Sequence, residues 1–170
     1  MLRPVRIGGA ALVGAALLGG VAARADDAPA VFARLRSGLA GSWKLAAPTS
    51  PRQQAFRISF KEISRGSALV ETFGDPAGSV TQTVYHLDGA HLLATHYCAQ
   101  GNQPRLRFVK DDPKAGVEFV FQDATNLASE KASHLVRLRI RLEGDRLEMD
   151  EIYAEDGKED ATTRALVRER

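Results

Sequence analysis

Residues 135–153, LVRLRIRLEGDRLEMDEIY, decide the fold class. On either side of the Gly144-Asp145 pair, apolar side chains alternate with charged ones. Alternation with a period of two is typical of a β-strand that buries one face, and a glycine-containing pair between two such runs is typical of a turn. The segment therefore predicts a two-stranded antiparallel hairpin.

The turn also predicts the register of this hairpin. A two-residue loop at Gly144-Asp145 pairs apolar residues on one face, Leu142 with Leu147 and Ile140 with Met149. On the other face it pairs arginines with acids: Arg146 with Glu143, Arg141 with Glu148, and Arg139 with Asp150. Opposite charges across strands contribute roughly 0.2–1 kcal/mol per pair. A row of arginines could bind an anionic ligand, but these acidic partners favour a solvated outer face.

Glu151 is the residue that this register does not explain. It falls on the apolar face opposite Leu138, with Met149 and Tyr153 beside it. A carboxylate on a buried face needs a partner, or it stays protonated. Two interpretations stay open: Glu151 contacts a ligand inside a barrel, or it lies near an open end in water.

Turn residues divide the chain after residue 40 into short β-like segments. The candidate strands are residues 42–46, 54–63, 68–73, 80–87, 91–98, 105–110, 116–121, 135–143, 146–154 and 162–168. Asp88-Gly89 is a second turn signal, which sets Leu87 opposite Ala90, His86 opposite His91 and Tyr85 opposite Leu92. About ten strands with no long helices between them predict one antiparallel barrel or sandwich.

The first 40 residues have a different organisation. Arg3 and Arg6 precede an apolar run over residues 7–21, and Ala23-Arg24-Ala25 follows. This pattern predicts a Sec-type signal peptide over residues 1–25, cleaved after Ala25, and hence a periplasmic or secreted protein. The run is shorter than the about 20 apolar residues of a spanning helix, so we expect no stable membrane insertion after cleavage.

Residues 26–40 are predicted to form a helical segment before the barrel domain, which spans residues 41–170. Apolar side chains recur in this segment at helical spacing over residues 29–39, at Val31, Phe32, Leu35 and Leu39. Gly38 and Gly41 are expected to end the helix.

Charge and cysteine content exclude several classes of protein. The net charge of +2 gives no basic excess that would favour a nucleic-acid partner. Cleavage would remove three arginines and no acid, which would leave a net charge of −1. One cysteine excludes an intramolecular disulfide and a cysteine-rich zinc module. The signatures of standard hydrolases, NTPases and dehydrogenases are absent, so a binding protein is favoured, without excluding an unfamiliar enzyme.

The densest group of polar and aromatic residues lies between residues 95 and 105. His96 and Cys98 are two positions apart on one strand face, where they could ligate a metal, bind haem or form a nucleophile–base pair. Side chains at this spacing lie roughly 6–7 Å apart, which is long for such a pair. The alternative is a buried thiol and a hydrogen-bonded histidine. Asn102, Gln103 and Arg105 follow as candidate ligand-binding residues.

Two patterns resemble a known class of barrel. Gly41-Ser42-Trp43 and the late Arg168 resemble the calycin pattern of lipocalins and fatty-acid-binding proteins, in which a tryptophan of the first strand packs against a late arginine. The strings at residues 83–89, 95–98 and 101–105 are similar to uncharacterised bacterial secreted proteins with a lipocalin-like barrel. The resemblance implies a single antiparallel up-and-down calycin barrel of about ten strands, closed by Trp43 and Arg168.

The first interpretation is a barrel that binds a small apolar or amphipathic molecule. Leu138, Ile140, Met149 and Tyr153 would line its interior, and His96, Cys98 and Glu151 would be polar anchors. A haem, metal or redox protein using His96 and Cys98 is one alternative, although no cofactor is predicted. Haem-binding barrels of the nitrobindin kind use a late-strand histidine, and no histidine follows His134 here. A packed structural barrel without a ligand is the other alternative.

Overall fold

A computed structural model describes residues 28–74 and 80–170, which form ten antiparallel strands closed into one barrel. The strands are β1 (Gly41–Leu45), β2 (Arg57–Ile63), β3 (Ala68–Gly74), β4 (Val80–Asp88), β5 (His91–Tyr97), β6 (Gln103–Asp112), β7 (Gly116–Thr125), β8 (His134–Glu143), β9 (Arg146–Glu155) and β10 (Lys158–Arg168). Helix α1 (Ala28–Leu39) precedes β1, helix α2 (Pro51–Ala55) precedes β2, and a 3-10 turn (Ser64–Gly66) follows β2.

Each strand pairs with its neighbour in sequence, and β1 pairs with β10, so the barrel is an up-and-down meander without a free edge. The predicted all-β class and the number and order of the ten candidate strands are confirmed over residues 28–74 and 80–170. The predicted signal peptide lies outside the described residues. Within the described part of the chain, no helix is long and apolar enough to cross a bilayer.

Several strand boundaries differ from the prediction: β6 and β7 are longer than expected, and the starts of β2 and β10 are displaced. The chain before β2 was expected to be extended from residue 54, but residues 51–55 form α2. Ser50 caps this helix by accepting a hydrogen bond from the Gln53 amide, and Pro51 occupies the first turn, where its missing N–H costs nothing. Strand β10 begins at Lys158 rather than at residue 162. The prediction missed these first residues because they are exposed and mostly polar, and so show no apolar alternation.

The two predicted hairpin registers had different outcomes. The β8–β9 register is confirmed at every predicted pair, including Leu138 opposite Glu151, and Arg141 lies 2.8 Å from Glu148. The β4–β5 register is wrong, because the turn residues are Gly89 and Ala90 and Asp88 pairs with His91. Gly89 takes the first turn position with a positive φ. The slip keeps the same faces together, so the apolar alternation could not detect it.

Helix α1 closes one end of the barrel, which we call the closed end. Val31, Phe32, Leu35 and Leu39 are buried against the strands, as their spacing predicted. Trp43 has no exposed surface, and its indole N–H donates to the Leu39 carbonyl at 2.8 Å. The tryptophan thus joins the end of α1 to the first strand of the barrel.

Arg168 joins the last strand to the same place. It pairs with Trp43 across β1 and β10, and its guanidinium carbon lies 4.3 Å from the centre of the indole ring system. Its terminal nitrogens donate to the carbonyls of Ala40 at 2.7 Å and Gly38 at 2.6 Å, and its Nε donates to Asp145. One side chain therefore holds α1, β1, β10 and the β8–β9 turn together.

Side chains fill the middle of the barrel. The fully covered interior residues are Leu69, Tyr85, Leu92, Ala94, Leu106, Phe119 and Leu135. Tyr85 and Phe119 pack edge to face with ring centroids 5.7 Å apart. Leu138, Ile140 and Met149 are buried in this same core. The predicted interior face of β8 and β9 is therefore part of the packed core.

We predict that Arg168→Ala lowers the free energy of unfolding by about 2–4 kcal/mol, because it removes the cation–π contact and the hydrogen bonds to two carbonyls. Urea unfolding followed by far-UV circular dichroism measures this change. Arg170→Ala is the matched control, since Arg170 also contacts Asp145 but its side chain is 84% exposed. We expect that control to stay within about 0.5 kcal/mol of wild type. Equal losses in the two variants would contradict the role given to Arg168.

Candidate ligand-binding site

Polar side chains gather in the interior toward the barrel end opposite α1, which we call the mouth. They come from inward positions of five strands and are Glu71, Thr83, Tyr85, His96, Glu151, Tyr153 and Arg164. Strand alternation places them there, as on β3, where Glu71 lies between the inward-facing Leu69 and Phe73. We call this set the mouth network.

The partner of Glu151 is Arg164 on the neighbouring strand β10. Glu151 is 7% exposed, and the Arg164 guanidinium donates to its Oε2. The guanidinium carbon also lies 4.8 Å from the centre of the Phe73 ring. Glu151 therefore lies in the interior with an ion-pair partner and not in water at an open end, and its contact with a ligand stays a prediction.

Glu71 is a second interior carboxyl group, and it is 2% exposed. The Tyr85 hydroxyl donates to its Oε2 at 2.5 Å. Burial, and then the nearby charge of Glu151, raises the pKa of Glu71 to about 8, although Tyr85 and Arg164 oppose the shift. Burial beside Glu71 also raises the pKa of the Tyr85 hydroxyl well above its usual value. At neutral pH, Glu71 is therefore mostly a neutral carboxylic acid.

His96 lies inside the barrel with both ring nitrogens in contact with hydroxyl groups. Its Nδ1 lies 3.0 Å from Thr83 Oγ1, and its Nε2 lies 3.1 Å from Tyr153 Oη. Burial lowers the pKa of His96 to about 4, so the ring is neutral at pH 7. A neutral imidazole has one donor and one acceptor, and these two hydroxyls can match both.

Cys98 lies one residue beyond the end of β5 and is half-buried. Its thiol donates to Gln100 Oε1 at 2.9 Å, and it also interacts with the Tyr153 hydroxyl, whose pKa is raised by burial, Glu151 and Cys98. The structure thus brings His96 and Cys98 together through Tyr153. Among the described residues, no group of three His, Cys, Asp or Glu side chains is arranged to hold a metal ion.

The other predicted contacts from this segment have different positions. Asn102 is buried, and its Nδ2 donates to the Ser133 carbonyl at 2.9 Å, so it joins two loops at the mouth. Gln103 and Arg105 lie on the outer surface, where Arg105 forms a two-bond ion pair with Asp123. They do not reach the interior, because alternation along β6 turns Pro104 and Leu106 inward instead.

A pocket of about 460 Å³ opens beside the mouth network, beneath α2. Its walls include Phe56 and Phe73, which pack edge to face with ring centroids 4.7 Å apart. Arg164 forms part of its floor, so the pocket reaches the Glu151 ion pair. Its remaining lining residues are Leu45, Ser50, Arg52 and Gln53.

Sequence reasoning missed the α2 side of this pocket and Arg164. Counting back from Arg168 by twos puts Leu166 and Arg164 on the inward face, so the alternation of β10 held a usable signal for Arg164. The sequence signal for α2 is Ser50-Pro51, a capping residue followed by a proline in the first turn, but the five exposed residues of the helix do not indicate that it covers a pocket.

The sequence of this chain fits no protein-family model, and no curated protein is significantly similar to it.

Titration of the mouth network predicts the pH dependence of stability. The pKa of Glu71 is higher in the folded state than its ordinary 4.5, so its contribution to stability falls as pH rises from 4.5 to about 8. The pKa of His96 is lower than its ordinary 6.5, so its contribution rises from pH 4 to 6.5. The two slopes cancel between pH 4.5 and pH 6.5. We therefore expect a plateau from pH 4.5 to 6.5, then a fall of up to roughly 1.4 kcal/mol per pH unit.

Urea unfolding at a series of pH values tests this expectation. Glu71→Gln should keep the fold, because the amide imitates the protonated acid, and its stability should rise to pH 6.5 and then stay level. Glu130→Gln, at an exposed loop position, should keep the wild-type profile. A wild-type profile that stays level from pH 6.5 to 8 would contradict the assigned protonation of Glu71.

Proposed function

We propose that this protein binds a small amphipathic molecule in the pocket beneath α2, with the mouth network as its polar end. The observation that carries the proposal is the meeting of an aromatic-walled pocket with buried charged groups at Arg164. Its volume falls in the range of about 300–1,000 Å³ that is usual for small-molecule sites. Phe56 and Phe73 would contact the apolar part of the ligand.

The packed middle of the barrel supports a ligand site near the mouth rather than deep in the interior. Tyr85, a member of the network, packs against Phe119, and neither ring has any exposed surface. In this proposal Phe56 and Phe73 contact the apolar part of the ligand, in place of the predicted contacts Leu138, Ile140 and Met149, which belong to the packed core. Glu151 and Tyr153 keep their proposed place at the polar end of the site.

We further propose that the barrel is calycin-like and resembles the lipocalin-like secreted proteins. The stacking of Arg168 on Trp43, the meander of ten described strands and the helix at the closed end support this assignment. The pattern of residues 1–25 supports export to the periplasm or the medium. A binding protein in that position would meet ligands from outside the cytoplasm.

We predict that Leu45→Trp blocks the pocket, because Leu45 lies in its wall and the larger side chain occupies space needed by a ligand. The probe is N-phenyl-1-naphthylamine, a neutral apolar dye, whose fluorescence rises in an apolar site. Titration of the dye into wild-type protein should give saturable binding, and Leu45→Trp should weaken it at least about tenfold.

Ala46→Trp is the matched control, since the next residue along the chain is exposed and lines no part of this pocket. It should bind the dye as wild type does. Circular dichroism establishes that both variants are folded. Equal binding by folded Leu45→Trp would show that the dye occupies another site, and no saturable binding by wild type would overturn the proposal.

A further inference from the structure

The mouth network holds more acidic than basic groups. Among the described inward-facing side chains at the mouth, Glu71 and Glu151 are carboxyl groups and Arg164 is the guanidinium that faces them. Arg164 already donates to Glu151. Glu71 has the Tyr85 hydroxyl as its hydrogen-bond donor and no cation of its own in direct contact.

This imbalance decides which charge the site can accept from a ligand. Burying a charge is costly unless it is paired. A cationic ligand group paired with ionised Glu71 would leave the network neutral, since Arg164 and Glu151 balance each other. An anionic group would leave one unpaired negative charge, because the guanidinium is already neutralised by Glu151.

The position of Glu71 makes this pairing possible. It occupies the inward position directly below Phe73 on β3, and Phe73 is a wall of the pocket. Glu71 is 2% exposed and does not itself line the pocket, so a ligand group must pass Phe73 and Arg164 to reach it. The aromatic walls also suit a cation, because the face of a phenyl ring attracts positive charge. Arg52 of α2 also lines the pocket, but it is exposed, so water and salt screen its charge more than the charges of the buried groups.

We infer that the polar end of the ligand is an organic cation, such as an alkylammonium group, and that Glu71 is its counter-ion. This inference rests on the proposed binding function and names the ligand class of the same site. In the ligand-free protein Glu71 holds a proton in the presence of Tyr85, Glu151 and Arg164. When the cation binds, the Glu71 carboxyl group loses that proton to the buffer and the ammonium group takes its place as the partner. Binding is therefore coupled to proton release.

The test compares octylammonium, octan-1-ol and octanoate, which share one tail and differ in the charge of the head. Isothermal titration calorimetry at pH 7, in two buffers of different ionisation enthalpy, gives both the affinity and the number of protons released. We expect octylammonium to bind most tightly, with release of close to one proton, and octanoate to bind least tightly. Octanol should release none.

Glu71→Gln should weaken octylammonium binding about tenfold or more, abolish the proton release and leave octanol binding unchanged. Glu130→Gln is the control for loss of an exposed acid and should behave as wild type. A merely structural role for Glu71 would weaken all three compounds together and would not remove the proton release selectively.

Each other result has a definite meaning. Tighter binding of octanoate than of octylammonium, or octylammonium binding without proton release, would overturn the inference and leave the proposed binding function standing. No binding of any of the three compounds would overturn both. The wild-type comparison alone decides these outcomes, so the test does not depend on the folding of Glu71→Gln.

Discussion

The structure depends on the pairing of its first and last strands. A ten-stranded meander has two unpaired edges until β1 meets β10, and only closure satisfies the backbone groups of both. Arg168 stabilises that closure at one point, because it lies over Trp43 and donates to two carbonyls at the end of α1. The helix, the tryptophan and the last strand therefore depend on one another, and the interior is enclosed because β1 pairs with β10.

A closed interior imposes strict conditions on the charged groups inside it. Water does not solvate these buried groups, so each is either paired with an opposite charge or a hydrogen-bond partner, or is neutral. The mouth network shows both solutions side by side: Glu151 is paired with Arg164, and Glu71 keeps its proton next to Tyr85. His96 gives up its charge as well and contacts two hydroxyls. The mouth therefore contains an ion pair, between Glu151 and Arg164, beside the neutral titratable groups Glu71 and His96.

Much of the fold could be predicted from the sequence, because the alternation that marks a strand is visible within a few consecutive residues. Alternation is a property of each strand, and in β8 and β9 the charge pairs on one face and the apolar pairs on the other selected a single register. In β4 and β5 no charge pairs did so, and a slip that preserved the faces went undetected. Less of the candidate site could be predicted. Glu151 was recognised as a misfit, but no register was predicted between its strand and the last strand, so Arg164 was not identified as its partner. Arg105 was assigned by proximity in sequence, although its strand turns it outward.

Trp43 is the single tryptophan of the chain, and it lies at the closed end, two residues along β1 from Leu45, which lines the pocket beneath α2. Its indole is covered by the Arg168 guanidinium and is bonded to the last residue of α1. The protein therefore carries its own fluorophore at the point where the barrel closes and not at the point where a ligand would enter. Its emission is an optical signal of closure, from a side chain whose next inward neighbour on β1 is a wall of the proposed pocket.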